Sequence, residues 1–198
     1  MKVSVSHHGK LALMGEFEST SAIHKIVPEF CPKPIRWGTF KNNANSHFYI
    51  YKFYNFIKGV PKPSSFCKKL AQLHSSHSSP EGKFRFHCTT YNSNLLQDNN
   101  YLRYVLKIHE DQAGRNLELN ELEPYRNTGI TDRDIEEGIV YNPASFWAHN
   151  EYELGNWRPE RNKFTRRYFE AYYSHIPKAK PEEDYDNRNA LYSLYVAQ

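Results

Sequence analysis

Cysteine is scarce in this 198-residue chain: Cys31, Cys67 and Cys88 are odd in number and far apart. That spacing fits neither a zinc knuckle nor a secreted disulfide framework, so the sequence predicts free thiols and a reducing, cytoplasmic compartment. Long apolar runs are also missing. No window approaches the ~20 residues a membrane-spanning helix needs, and residues 1–6 alternate polar and apolar positions where a signal peptide would be continuously apolar. No membrane association is expected. Charge of one sign is scarce too. The 26 basic and 22 acidic residues leave a net +4, which suits an anionic small ligand and falls short of a nucleic-acid footprint. An RNA-binding reading would rest on that excess and on a 15% aromatic content. The Tyr and Phe residues, however, recur at helix or strand spacing, as core residues do, rather than as stacking platforms.

The residues that are present sort into a mixed order of elements. Met1, Val3 and Val5 alternate with Lys2, Ser4 and Ser6, which predicts a short strand with one apolar face. Beyond 7–10, Met14, Phe17, Ile23 and Ile26 recur at near-helical intervals until Pro28, predicting one amphipathic helix. Residues 35–40 and 48–53 read as an antiparallel hairpin around a longer polar turn at 41–46. Pro61 and Pro63 mark a linker, after which Ser64 or Ser65 caps a helix carrying Phe66, Leu70 and Leu73. Residues 74–100 read as a long loop, a length that is usually functional or disordered, around the string GKFRFHCTTYN at 82–92. Helices near 102–109 and 117–125 and a strand at 138–141 follow. Two closing helices are anchored by Phe164, Tyr168 and Tyr172 and by Tyr185, Tyr192 and Tyr195.

Two clusters carry candidate chemistry. Lys2 on the first strand and Glu16 on the following helix have the order in which an ammonium and a carboxylate meet beside a nucleotide. A solvated lysine and a helix-face glutamate would give the same pattern. In IVYNPASFWAHNEYELGNWRPER, at 139–161, a strand would end at Asn142-Pro143, the kind of strand end where kinases hold a metal. His149, Glu151 and Glu153 alternate. On a strand they would face one way and suit a metal; on a helix they would not, and a hydrogen-bonded structural histidine with two carboxylates is the other reading.

At these strings the sequence resembles a known family. MGEFES at 14–19, SPEGKFRFHCTTYN at 79–92 and NPASFWAHNEYELGNWRPER at 142–161 are similar to blocks of the fructosamine kinases, of the protein-ribulosamine 3-kinase type. GITDRDIEEGIVY at 129–141 and PEEDYDNRNALYSLY at 181–195 also fit. The resemblance implies an α+β, protein-kinase-like fold of the aminoglycoside-phosphotransferase type, with a truncated small lobe at 1–60 and a helical large lobe at 61–198. It implies ATP-dependent phosphorylation of ketosamines on glycated proteins or small molecules, with Mg2+ as cofactor. Lys2 resembles the phosphate-binding lysine and Glu16 its helix partner, while Tyr51, Lys52 and Phe53 fall at the adenine-binding hinge. Lys83, His87, Thr90 and Tyr91 resemble the sugar-site segment. Asn127 resembles the asparagine that holds magnesium, and Asn142 stands where the family has its metal-binding aspartate.

The same alignment of motifs exposes departures. The family's catalytic loop reads His-Gly-Asp-Leu-Trp before the asparagine, whereas Glu121-Leu122-Glu123-Pro124-Tyr125-Arg126 precedes Asn127 here, with Leu122 in the aspartate's place. No catalytic residue is identified; Glu121 and Glu123 are the nearby carboxylates. Only Met1 precedes Lys2, so the sequence shows no glycine-rich loop, and the first strand is expected to have an open edge. Impaired turnover is the expectation, and the alternative is a non-catalytic, pseudokinase-like protein that binds glycated peptides or nucleotide.

Overall fold

The alternation at 1–6 does form a strand, but its polar face is the one that is covered. In the computed structural model, which describes residues 1–55, 59–76, 86–92, 95–97, 134–135, 138–158 and 163–196, strand β1 is Lys2–Val5 and helix α1 follows at once as Ser6–Ile26. The turn between them is a single residue. Ser6 adopts a left-handed φ of 76°, and its Oγ accepts the Gly9 N–H at 3.4 Å, which caps the first turn. So tight a reversal folds α1 back over Lys2 and Ser4. Gly9 lies so close to Ser4 that a Cβ there would meet Ser4 Oγ at 2.3 Å. Met1, Val3 and Val5 point the other way, 70%, 54% and 60% exposed.

Strand β3 (Asn43–Tyr51) pairs antiparallel with both β1 and β2 (Pro34–Phe40), giving the order β1-β3-β2. The hairpin turn is tighter than its polar composition suggests. Phe40 pairs with Asn43, and a register shift between Thr39 and Phe40 absorbs the extra residues, because a solvated strand end needs backbone pairing more than apolar side chains. Lys2 stands opposite Tyr49, so both lie on the face that α1 covers. Tyr49 is buried there with Leu13, Ile23, Val27, Phe30 and Cys31, and Phe17 meets its ring edge-on at 5.8 Å. Pro28 opens a 3₁₀ turn, Pro28–Phe30, that ends the helix. A further hairpin, β5 (Thr90–Asn92) with β6 (Leu95–Gln97), lies within the stretch expected to be loop.

These elements belong to one compact unit, made of Met1–Ile57, Ser76–His109 and Ile139–Trp147; the other is Lys58–Ser75, Glu110–Gly138 and Ala148–Gln198. In the second unit Val60–Pro61 is a short strand, β4, parallel to β7 (Asp134–Ile135). Residues 138–141, expected as a strand, form no ladder. Helix α2 is Pro63–Ser75, and Pro63 supplies its first residue, where a missing N–H costs nothing. Ser65, expected as a cap, already lies inside the helix and donates its Oγ to the Lys62 carbonyl at 3.1 Å. Helices α3 (Glu151–Gly155), α4 (Arg166–Tyr173) and α5 (Tyr185–Val196) also belong to this unit.

Its core is aromatic: Phe66, Trp157, Tyr168, Phe169 and Tyr172 are buried, with Phe164 stacked on Trp157 at 5.1 Å. On α5 the buried residues are Asn189, Ala190 and Ser193, while Tyr185 and Tyr192, expected as part of its buried stripe, are half-buried and the side chain of Tyr195 lies outside the described residues. Helix α3 approaches α5 closely, so that a Cβ on Gly155 would lie 2.6 Å from the Tyr192 backbone. The missing side chain at Gly155 is what permits that distance to Tyr192 and Ser193. The expected helices at 102–109 and 117–125 lie outside the described residues. All three cysteines are free, and burial pushes the Cys31 and Cys67 thiols up to about 12 and Cys88 up to about 11. No described helix is long and apolar enough to cross a membrane.

Candidate functional site

The tight β1–α1 turn brings Lys2 and Glu16 together. Lys2 Nζ donates to Glu16 Oε1 at 2.6 Å, with the two side chains 29% and 17% exposed. A third side chain reaches the same ammonium, which donates to Asn142 Oδ1 at 2.5 Å. Asn142 arrives from a segment at 139–147 that is pinned on either side. Before it, the Val140 N–H donates to the Phe30 carbonyl at 2.8 Å. After it, the Ser145 N–H donates to Ser19 Oγ at 3.0 Å, and the Ser145 carbonyl accepts from Thr90 Oγ1 at 3.2 Å. Between the pins Asn142 takes a left-handed φ of 54°, a conformation asparagine tolerates better than most residues.

The donor chemistry fixes how the carboxamide lies. An ammonium has three N–H donors and no acceptor, so Asn142 must turn its oxygen to Lys2 and its NH2 away. A hard divalent cation is held by oxygen; one of the two lone pairs of Asn142 Oδ1 is taken by the Lys2 ammonium, and the positive charge so placed opposes a second cation there. Asn142, expected as a metal ligand, therefore does not fit a magnesium ion in this arrangement. Among the described residues no group of three or more His, Cys, Asp or Glu could hold a metal. Asn127, Glu121, Glu123 and Lys83 lie outside the described residues.

The other residues singled out in the sequence take several positions. Tyr51 ends β3. The Lys52 N–H donates to the Lys33 carbonyl at 2.9 Å, and its ammonium lies 5.5 Å from the centre of the Tyr54 ring. Phe53 is 78% exposed, an apolar ring open to a flat ligand. From the sugar-site segment, His87 lies 3.3 Å from Glu18 Oε2 and Tyr91 meets His8 edge-on at 4.6 Å, so both touch α1. Thr90 is fully buried, with its hydroxyl spent on Ser145; it fastens the Asn142 segment instead of facing a ligand. Ser19 and Ser145 do the same work and carry no signal of it in their spacing.

His149, Glu151 and Glu153 do not converge as a trio, because residues 151–155 are helical; His149 Nδ1 lies 3.9 Å from Glu151 Oε2, and Glu153 is not part of that contact. Glu151 is fully buried and takes Arg188 Nε on Oε2 at 2.8 Å and the Ala179 N–H on Oε1 at 2.9 Å. Glu153 is exposed. His149 is within hydrogen-bond distance of the Tyr192 hydroxyl, at 3.2 Å. This is the structural reading of the cluster.

A sequence model described as fructosamine kinase matches residues 2–120 and 125–197. Among solved structures, one provisionally designated a fructosamine-3-kinase from Haemophilus somnus 129PT superposes with a TM-score of 0.66 at 19% identity, covering 98% of this chain and 73% of that one. A second, from Thermobifida fusca YX-ER1 and likewise designated, gives a TM-score of 0.57 at 15% identity, covering 93% of this chain and 73% of that one. At such identities the superpositions establish the fold, which is kinase-like and α+β.

Proposed function

We propose a ketosamine kinase function from one premise: the chain belongs to the fructosamine kinase family, whose sequence model matches most of its length. In this reading ATP supplies a phosphoryl group to a sugar hydroxyl of a ketosamine, carried on a glycated protein or free as a small molecule. The fold is then of the aminoglycoside-phosphotransferase type. The observation that carries the reading is the Lys2–Glu16 pair: a carboxylate on α1 aims an ammonium that can donate to phosphate oxygens.

Phosphoryl transfer is mostly positioning and charge stabilisation. Magnesium, when bound, would neutralise charge on the phosphates; Asn142 is not among its ligands in this reading. Lys2 orients the phosphates, and Glu16 keeps Lys2 from swinging into solvent. Tyr51, Lys52 and Phe53 are the proposed adenine contacts, and His87 and Tyr91 the proposed sugar contacts. The sugar hydroxyl must give up a proton, and the sequence before Asn127 has Leu122 where the family's aspartate stands. Loss of a positioned base costs about 10²–10⁴-fold in rate, so slow turnover is expected.

The test is transfer of labelled phosphate from ATP to a ribulosyl-lysine peptide by the folded 198-residue chain. Slow product is expected, with a gain of about 10²-fold for Leu122→Asp; no gain in a folded variant would sink the catalytic reading. The amide at Asn142 favours a second reading, a binding protein without turnover. Saturable binding of a glycated lysine peptide with no product from either form would support it.

A further inference from the structure

We infer that Lys2 and Asn142 form a phosphate-binding pair that contacts the anion directly, with no divalent cation bridging at Asn142. The inference rests on the nucleotide reading above and specifies how that site holds its ligand. Three observations carry it. First, Lys2 donates to Asn142 Oδ1 at 2.5 Å, and since an ammonium cannot accept, the carboxamide NH2 must face away from it. Second, the two bonds to Glu16 and Asn142 use two of the three ammonium N–H groups, leaving Lys2 one further donor on a side chain that is 29% exposed. Third, the Asn142 backbone is held between the Val140 and Ser145 anchors, so the carboxamide is fixed in place before any ligand arrives.

The charge count agrees. Lys2 and Glu16 cancel, and Asn142 adds nothing, so the cluster does not repel an anion. A carboxylate at 142 would add a negative charge next to the phosphate and would need a cation to offset it. The neutral amide instead presents an N–H donor where a carboxylate presents only acceptors. The ligand class is a polyphosphate ester, of which ATP is the one the kinase reading names.

The experiment is ATP binding by calorimetry, with the folded chain in excess EDTA and again in excess magnesium. The expected affinities agree within about threefold, a difference of under ~0.7 kcal/mol. Asn142→Asp should weaken binding at least about tenfold in EDTA, as expected for replacing a charge-assisted donor by a like charge, and recover in magnesium. Asn142→Gly, which suits the left-handed backbone, should weaken binding equally in both conditions, and serves if the aspartate form does not fold. Wild-type binding only in magnesium would overturn this inference and leave the nucleotide reading standing. Unchanged binding by either variant in EDTA would also overturn it. No ATP binding by a folded chain in either condition would overturn the nucleotide reading itself.

Discussion

Two cation–carboxylate pairs in this molecule have the same chemistry and different surroundings. Glu151 and Arg188, in the second unit, form a pair whose valences are filled by their own chain. Glu151 accepts from Arg188 Nε and Nη2 and from the Ala179 N–H, while Arg188 also donates to the Ala179 and Pro181 carbonyls at 2.8 and 2.6 Å. Burial alone would raise the Glu151 carboxyl, but the Arg188 and Ala179 donors outweigh it and hold it below its ordinary value. Lys2 and Glu16, in the first unit, are partly exposed, and the ammonium keeps a donor in hand. A saturated pair can only hold structure together. An unsaturated one, aimed by a helix, can also bind.

The comparison breaks first at Glu151. Replacing it by alanine strands the Arg188 guanidinium and should cost about 3 kcal/mol in urea unfolding, the low end for a buried pair because Arg188 retains some solvent. A loss below about 1 kcal/mol, the size of an exposed pair, would erase the distinction. Gly155→Ala tests the close helix contact around the same pair. Its Cβ would lie 2.6 Å from the Tyr192 backbone, so overpacking of about 1–3 kcal/mol should lower the melting temperature, and an unchanged melting temperature would mean that α5 yields.

A smaller effect comes from pH. His74 Nδ1 lies 2.8 Å from the Tyr172 hydroxyl, which itself accepts from Asn150 Nδ2 at 3.0 Å, and burial lowers His74 to about 4 from 6.5. The fold therefore favours the neutral ring. That stabilisation is fully present above pH 6.5 and is lost as pH falls from 6.5 towards 4, with a slope of at most about 1.4 kcal/mol per pH unit. Urea midpoints at a series of pH values should show the slope in the wild type and a flatter one in His74→Gln. The smallest stability effect sharpens the comparison from its other side. Lys2→Met should cost under about 1 kcal/mol, as expected for a partly exposed pair, while ATP affinity measured on the same sample falls. A loss as large as that of Glu151→Ala would show that Lys2 is structural too.

Much of this was legible in the residues. The strand at 1–6, the helix ended by Pro28, the hairpin that follows and the helices around Phe66, Tyr168 and Tyr192 are all present, because period and proline placement act locally. Orientation was less legible. The Met1, Val3 and Val5 face reads as core by alternation, yet a one-residue turn at Ser6 sends α1 to the opposite side. Tyr185 and Tyr192 read as part of a buried stripe on α5, yet they are half-buried and Asn189, Ala190 and Ser193 are the buried residues. The pairing of β5 with β6 is hidden because each strand is only three residues long, too short for an alternation to show. Of the site, Lys2 and Glu16 were visible as a strand-then-helix order, whereas the convergence of Asn142, 140 residues away in sequence, was not readable from spacing.

The sequence by itself determined the family, through several ordered blocks, and the residue types at the site: a lysine, a glutamate, an asparagine at 142 and no aspartate at 122. Those are covalent facts that no packing alters. Only the tertiary structure decided which way Asn142 presents its amide and that Thr90 serves as an anchor. It also decided that Glu151 belongs to a structural pair and not to a metal site. Each of these depends on which groups meet across long stretches of chain, and hydrogen-bond direction exists only once donor and acceptor are face to face.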